Sequence, residues 1–114
     1  MIRGTTPTHT FTLPFDPPDG TDFRIVYAQG EDHKEEILFE RETDSIAISG
    51  RKISVKLSAR ETLMFDATPK LVKSKYRAHP VKIQVGARTP GGDILWSNII
   101  ETTVERCLRE SGGV

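Results

Sequence analysis

The chain predicts an all-β, antiparallel β-sandwich of about seven short strands. Three observations predict it. Lys52-Ile53-Ser54-Val55-Lys56-Leu57 alternates polar and apolar residues without a break, the period-2 signature of a half-buried strand, and the same alternation recurs at residues 11–15 and 81–85. Clusters of Gly, Pro and Asp separate such segments at spacings of about 8–12 residues. No stretch between them is long enough for a helical crossover, so successive strands are expected to pair antiparallel. A small barrel is the competing architecture.

Residues 1–7 read as a polar, flexible lead-in. Residues 8–15 then alternate, with Phe11, Leu13 and Phe15 on one face and threonines on the other. Pro14 cannot donate to a ladder, so this segment belongs at a sheet edge or ends there. Asp16-Pro17-Pro18-Asp19-Gly20 is a turn cluster. The second strand runs over residues 23–29, with Phe23, Ile25 and Tyr27 inward, and Gly30-Glu31-Asp32-His33 turns the chain. Residues 35–42 form the third strand, with Ile37 and Phe39 expected to face the core; their glutamates also suit a helix, but the segment is short and hairpin-spaced from its neighbour. Ser45-Ile46-Ala47-Ile48 is a brief fourth strand, joined by Gly50-Arg51 to the fifth at residues 52–57.

Ser58-Ala59-Arg60-Glu61 is a capping-box sequence, in which the serine side chain and the glutamate three residues on satisfy each other's backbone N–H groups. It predicts one short helical turn over residues 59–66. Residues 67–79 read as a basic, irregular loop. Val81 begins a central strand, and Pro90-Gly91-Gly92-Asp93 is a hairpin turn. The return segment from Ile94 to about Leu108 is long enough to need a bulge or bend near Ser97-Asn98. Residues 110–114 read as a flexible tail, and the whole chain, 1–114, as a single domain.

Composition narrows the function classes. Sixteen basic and sixteen acidic side chains cancel, which argues against nucleic acid and against a charged membrane surface as partners. No apolar run approaches the ~18 residues of a membrane span, and the first residues lack the apolar core of a secretory signal. The single cysteine, Cys107, has no internal partner for a disulfide, so synthesis in a reducing cytoplasm is expected, with an intermolecular bridge as the alternative.

No chemistry-bearing constellation emerges. His9, His33 and His79 are far apart in the chain and read as solvated residues at strand edges or in loops. Cys107 has no glycine-rich elbow to expose it as a nucleophile, and the carboxylates of residues 31–42 read as a solvated face. Lys70, Lys73, Lys75 and Arg77, interleaved with Tyr76, make one basic cluster suited to a solvated loop or a protein contact. Neither a metal nor a cofactor is expected. Trp96, the single tryptophan, has two readings: a core residue, as tryptophans in sandwiches usually are, or an interface anchor. With Phe11 and Phe15 on an edge segment able to receive a strand, Trp96 completes the set of candidate partner-binding residues.

The opening residues 1–15, Tyr27-Ala28-Gln29, Val55-Lys56-Leu57-Ser58 with Glu61-Thr62, Lys82-Ile83-Gln84-Val85, and Ser97-Asn98-Ile99-Ile100 with Val104 together resemble small uncharacterised proteins encoded in prophages of Gram-positive gut bacteria. The layout is also distantly similar to the N-terminal immunoglobulin-like domain of phage baseplate upper proteins, through the strand-rich start and the late Gly-Gly-Asp hairpin. The chain departs from the shorter pattern at residues 16–22 and 67–79. The resemblance implies an immunoglobulin-like sandwich made in the host bacterial cytoplasm. It also implies a non-enzymatic role among phage structural proteins, or with further copies of itself, in a virion tail or baseplate. It brings no catalytic residues with it. A small host-interaction protein made during infection and a carbohydrate-binding module are the alternative functions.

Overall fold

The alternating segments form two antiparallel sheets that close their apolar faces on each other. The computed structural model describes residues 1–108. Its strands are β1 (Thr8–Thr12), β2 (Asp22–Gln29), β3 (Glu36–Glu42), β4 (Ala47–Ser49) and β5 (Lys52–Lys56), then, after the helical turn α1 (Ala59–Thr62), β6 (Lys70–Val72), β7 (Lys75–Arg77), β8 (Val81–Arg88), β9 (Ile94–Trp96) and β10 (Ile100–Thr102). One sheet has the order β1-β5-β4. The other has the order β10-β8-β2-β3, with β9 also on β8, and β6-β7 is a separate hairpin. All the pairings within these sheets are antiparallel, as in a β-sandwich.

The core lies where β2 and β8 face β5. Phe23, Ile25 and Tyr27 alternate inward on β2, and Val81, Ile83, Val85 and Ala87 do so on β8. Their register places Ile25 opposite Val85 and Tyr27 opposite Ile83. Ile53, Val55 and Leu57 meet them from the smaller sheet, with Phe65 sealing one end. Each large apolar side chain fully buried in this way contributes roughly 1.5–3 kcal/mol. The sandwich needs no disulfide between its sheets because this apolar contact holds them.

α1 is capped as its sequence demands. Ser58 Oγ accepts from the Glu61 N–H (3.1 Å), and Glu61 Oε1 accepts from the Ser58 N–H (2.8 Å). The other Glu61 oxygen pairs with Arg41 Nε on β3 (2.9 Å), and the Arg41 guanidinium also donates to Lys56 O on β5. One arginine thereby ties the two sheets and the helical turn together.

The structure corrects several expectations. Residues 1–7 are docked: Ile2 pairs with Glu105 in a parallel bridge, the Gly4 N–H donates to Thr62 Oγ1 (2.9 Å), and Pro7 O accepts from the Leu57 N–H (2.9 Å). The third strand contains a bulge. Tyr27 pairs with Phe39 but Ala28 pairs with Ile37, so Leu38 is the extra residue and the phase slips. Ile37 consequently points outward, 60% exposed, while Leu38 and Phe39 pack on the core.

The segment at residues 45–48 is shifted, with Thr43–Ser45 a 3₁₀ turn and the strand at Ala47–Ser49. Residues 67–79 are not irregular but carry the β6–β7 hairpin. Its turn, Lys73-Ser74, has both residues at positive φ, as a type I′ connection requires. The helical turn ends at Thr62, short of residue 66. The expected break near Ser97 is present and separates β9 from β10. The expected tail at residues 110–114 lies outside the described residues.

Candidate functional site

A sandwich has four lateral edges, and unpaired edges invite foreign strands unless they are guarded. β3 is guarded by Glu36, Glu40, Arg41 and Glu42 and by its bulge. β4 has only three residues. β1 has five, bracketed by Pro7 and Pro14, which cannot donate to a ladder. The β9–β10 edge is likewise built of three-residue strands and carries Glu101, but it is set apart by its apolar side chains. Ile94, Leu95, Trp96, Ile99 and Ile100 along it are all exposed.

This edge is held in place despite its break. The Ser97 N–H donates to Val85 O (2.8 Å), Ser97 Oγ accepts from the Val85 N–H (2.9 Å), and Ser97 O accepts from Gln84 Nε2 (2.9 Å). A serine can do this because its hydroxyl replaces a backbone group where the ladder is interrupted. The break therefore bends the edge without detaching it.

Trp96 sits opposite Gly86 on the outer face of the larger sheet. A Cβ built on Gly86 would lie 2.5, 2.7 and 2.8 Å from three successive atoms of the six-membered indole ring. Such near-equal distances mean that the ring rests on Gly86 by its face. Its opposite face is open, and the residue is 51% exposed. The core reading of Trp96 is therefore overturned.

The indole forms one wall of a cleft of about 600 Å³. Arg24, on β2, ion-pairs with Glu42 (3.0 Å) and Glu40 (3.8 Å) on β3. The Phe23 N–H donates to Thr43 Oγ1 (2.7 Å), which anchors the 3₁₀ turn and brings Asp44 to the cleft. Asp22 and Arg88 complete the polar lining. The chain matches no protein-family model and no curated protein.

The other two candidate partner residues sit differently. Phe11 and Phe15 are partly buried and packed on the core cluster, so neither is a projecting anchor. Among the described residues no group of three or more His, Cys, Asp or Glu side chains is placed to hold a metal ion, and no helix is long and apolar enough to cross a membrane. Cys107 is half-buried. The basic cluster lies on the β6–β7 hairpin, where Tyr76 is 79% exposed and Lys70 pairs with Asp66 (3.3 Å).

The acidic segment is not uniformly a solvated face. Asp32 and Glu35 both grip the Lys82 ammonium at 2.6 Å. Hydrogen bonding to Lys82 holds Asp32 below the usual carboxylate range and takes Glu35 down to about 2. The same contacts raise Lys82. This cluster pins the β2–β3 connection to β8, a structural role.

His9 is likewise no solvated edge residue. It reaches from β1 across the sandwich to Tyr27, Nδ1 to hydroxyl at 2.7 Å, with the rings stacked at 5.8 Å. Burial lowers its pKa from 6.5 and raises that of Tyr27. With the folded value depressed, the unfolded chain binds the proton more readily. The His9 contribution is thus complete above about pH 6.5 and is lost as pH falls through the lower folded value. We expect the urea midpoint to drop between about pH 7.5 and 5.5 and His9→Gln to flatten that drop. Equal slopes in the two proteins would refute this role for His9.

Proposed function

We propose that this chain is a non-enzymatic phage structural or accessory protein that docks through its β9–β10 edge to other virion proteins, or to further copies of itself, in the tail or baseplate. The observation that carries the reading is that edge: apolar, exposed and held in register by Ser97. Its mechanism is strand addition. A partner strand gains main-chain hydrogen bonds along β9 and β10 while Leu95, Ile99 and Ile100 exchange water for apolar contact. The resemblance to prophage-encoded proteins supplies the setting: synthesis in the host cytoplasm, then incorporation into the particle. The repeated symmetry of a tail suits a small rigid domain that offers one edge to a neighbour.

Lysine on an edge strand opposes pairing, so Leu95→Lys with Ile99→Lys is the informative variant. Expected are wild-type protein in purified particles, an unchanged circular dichroism spectrum for the variant, and at least about tenfold less of it incorporated. A wild-type protein absent from particles, with no tail component retained by it, would exclude the reading. Capture of a host factor by protein that is absent from particles would instead favour a host-interaction protein made during infection.

A further inference from the structure

We infer that the cleft beside Trp96 is a binding site for a neutral oligosaccharide. The inference goes beyond docking by the β9–β10 edge and does not depend on it.

The first ground is the indole platform. Gly86 is the one residue type that lets the Trp96 ring lie on the strand, because any Cβ there would occupy the ring's own space. One face of the indole is consequently supported and the other open, in a fixed orientation. The C–H face of a pyranose ring stacks on such a surface, and a platform already held in place loses little entropy on binding.

The second ground is the lining. A cleft of about 600 Å³ falls within the range of roughly 300–1,000 Å³ typical of small-ligand sites. Its charged groups are carboxylates and guanidiniums, side chains able to engage neighbouring hydroxyls in a bidentate manner. Arg24 and Glu42 pair at 3.0 Å, and both side chains remain exposed to a ligand. Asp44 is fixed by the turn that Thr43 anchors.

The third ground is charge. Asp22, Glu42 and Asp44 outnumber Arg24 and Arg88, and Arg24 is already paired with two glutamates. A phosphate or nucleotide would meet net repulsion. A wholly apolar ligand would strip water from these charges without replacing it. What fits is an uncharged, hydroxyl-rich molecule with one flat apolar face.

Trp96 is the single tryptophan, so its emission reports the site directly. The test is fluorescence titration of the whole chain with maltohexaose, cellohexaose and the hexamer of N-acetylglucosamine, with ATP as the anionic comparison. Expected is a saturable change with at least one neutral oligomer. Asp44→Asn should weaken it about tenfold, from the loss of a charge-assisted hydrogen bond. Gly86→Ala should abolish it by displacing the ring. Asp44 lies on an exposed turn, so its variant keeps the test decisive if the Gly86 variant does not fold. The edge variant carrying Leu95→Lys and Ile99→Lys should bind the sugar as the wild type does, which separates this site from the docking edge. The absence of a saturable change with all three oligomers, or a response to ATP as strong as to any of them, would overturn the proposal.

Discussion

Phe65→Ala is expected to lower the unfolding free energy by about 3–5 kcal/mol, the range for emptying a buried aromatic site. Phe65 is essentially inaccessible to solvent and lies against Phe39 (5.6 Å between ring centroids) and Tyr27 (6.1 Å), which themselves stack at 4.7 Å. Removing one ring of the three leaves the other two facing a void, and the site cannot collapse readily because β2 and β3 are pinned by their ladder. A domain of this size has a total of roughly 5–15 kcal/mol, with about 4 °C in melting temperature per kcal/mol. The expected fall is therefore about 12–20 °C by thermal circular dichroism. Phe65→Leu, which keeps most of the volume, should cost less than half as much. A loss below about 1 kcal/mol for the alanine variant would show that the aromatic cluster does not close the core.

Gln29→Leu is expected to cost about 2–4 kcal/mol by a different route. Gln29 ends β2 and is nearly buried, and its amide is fully used. Nε2 donates to Asp66 O (2.7 Å) and His79 O (2.8 Å), while Oε1 accepts from the Asp66 N–H (2.7 Å). One side chain thus fastens both ends of the segment that carries the β6–β7 hairpin. Leucine matches its size but leaves three backbone groups without partners. Gln29→Glu is the sharper control, because it keeps the acceptor and loses both donors. Its carboxylate would face two carbonyl oxygens, so its folded pKa should rise. The added cost should then be present at neutral pH, shrink as pH falls through the raised folded value, and be gone below about pH 4, where the acid is protonated in the unfolded chain as well. Equal stability of wild type and Gln29→Leu in urea would remove the clamp from the account.

Much of the scaffold is legible in the sequence because its information is local. The alternation of Phe23, Ile25 and Tyr27 and of Ile53, Val55 and Leu57 is a period-2 signal carried by neighbours along one strand. Ser58 and Glu61 lie three residues apart, so their reciprocal cap can be read without knowing what packs above it. Ile37 escapes the same reading. A bulge is a two-against-one count between strands, and nothing within β3 alone announces that Leu38 will be the extra residue. His9 misleads for a related reason, since its partner lies eighteen positions away on the facing sheet.

The candidate site shows the limit most plainly. Ile94-Leu95-Trp96 is an apolar run, and its composition alone suits burial as well as display. Which face Trp96 takes depends on Gly86 across the β8–β9 ladder, and the exposure of its neighbours depends on whether another strand lies beside β9. The sequence by itself determined the β class, the antiparallel pairing, the central strands and the capped turn, because each follows from periodicity or from contacts within four residues. The tertiary structure alone decided sheet membership, the exposed apolar edge, the face-on indole and the cleft. These depend on pairs of residues far apart in the chain, and a side chain's period reports that it faces inward or outward without reporting what it meets there.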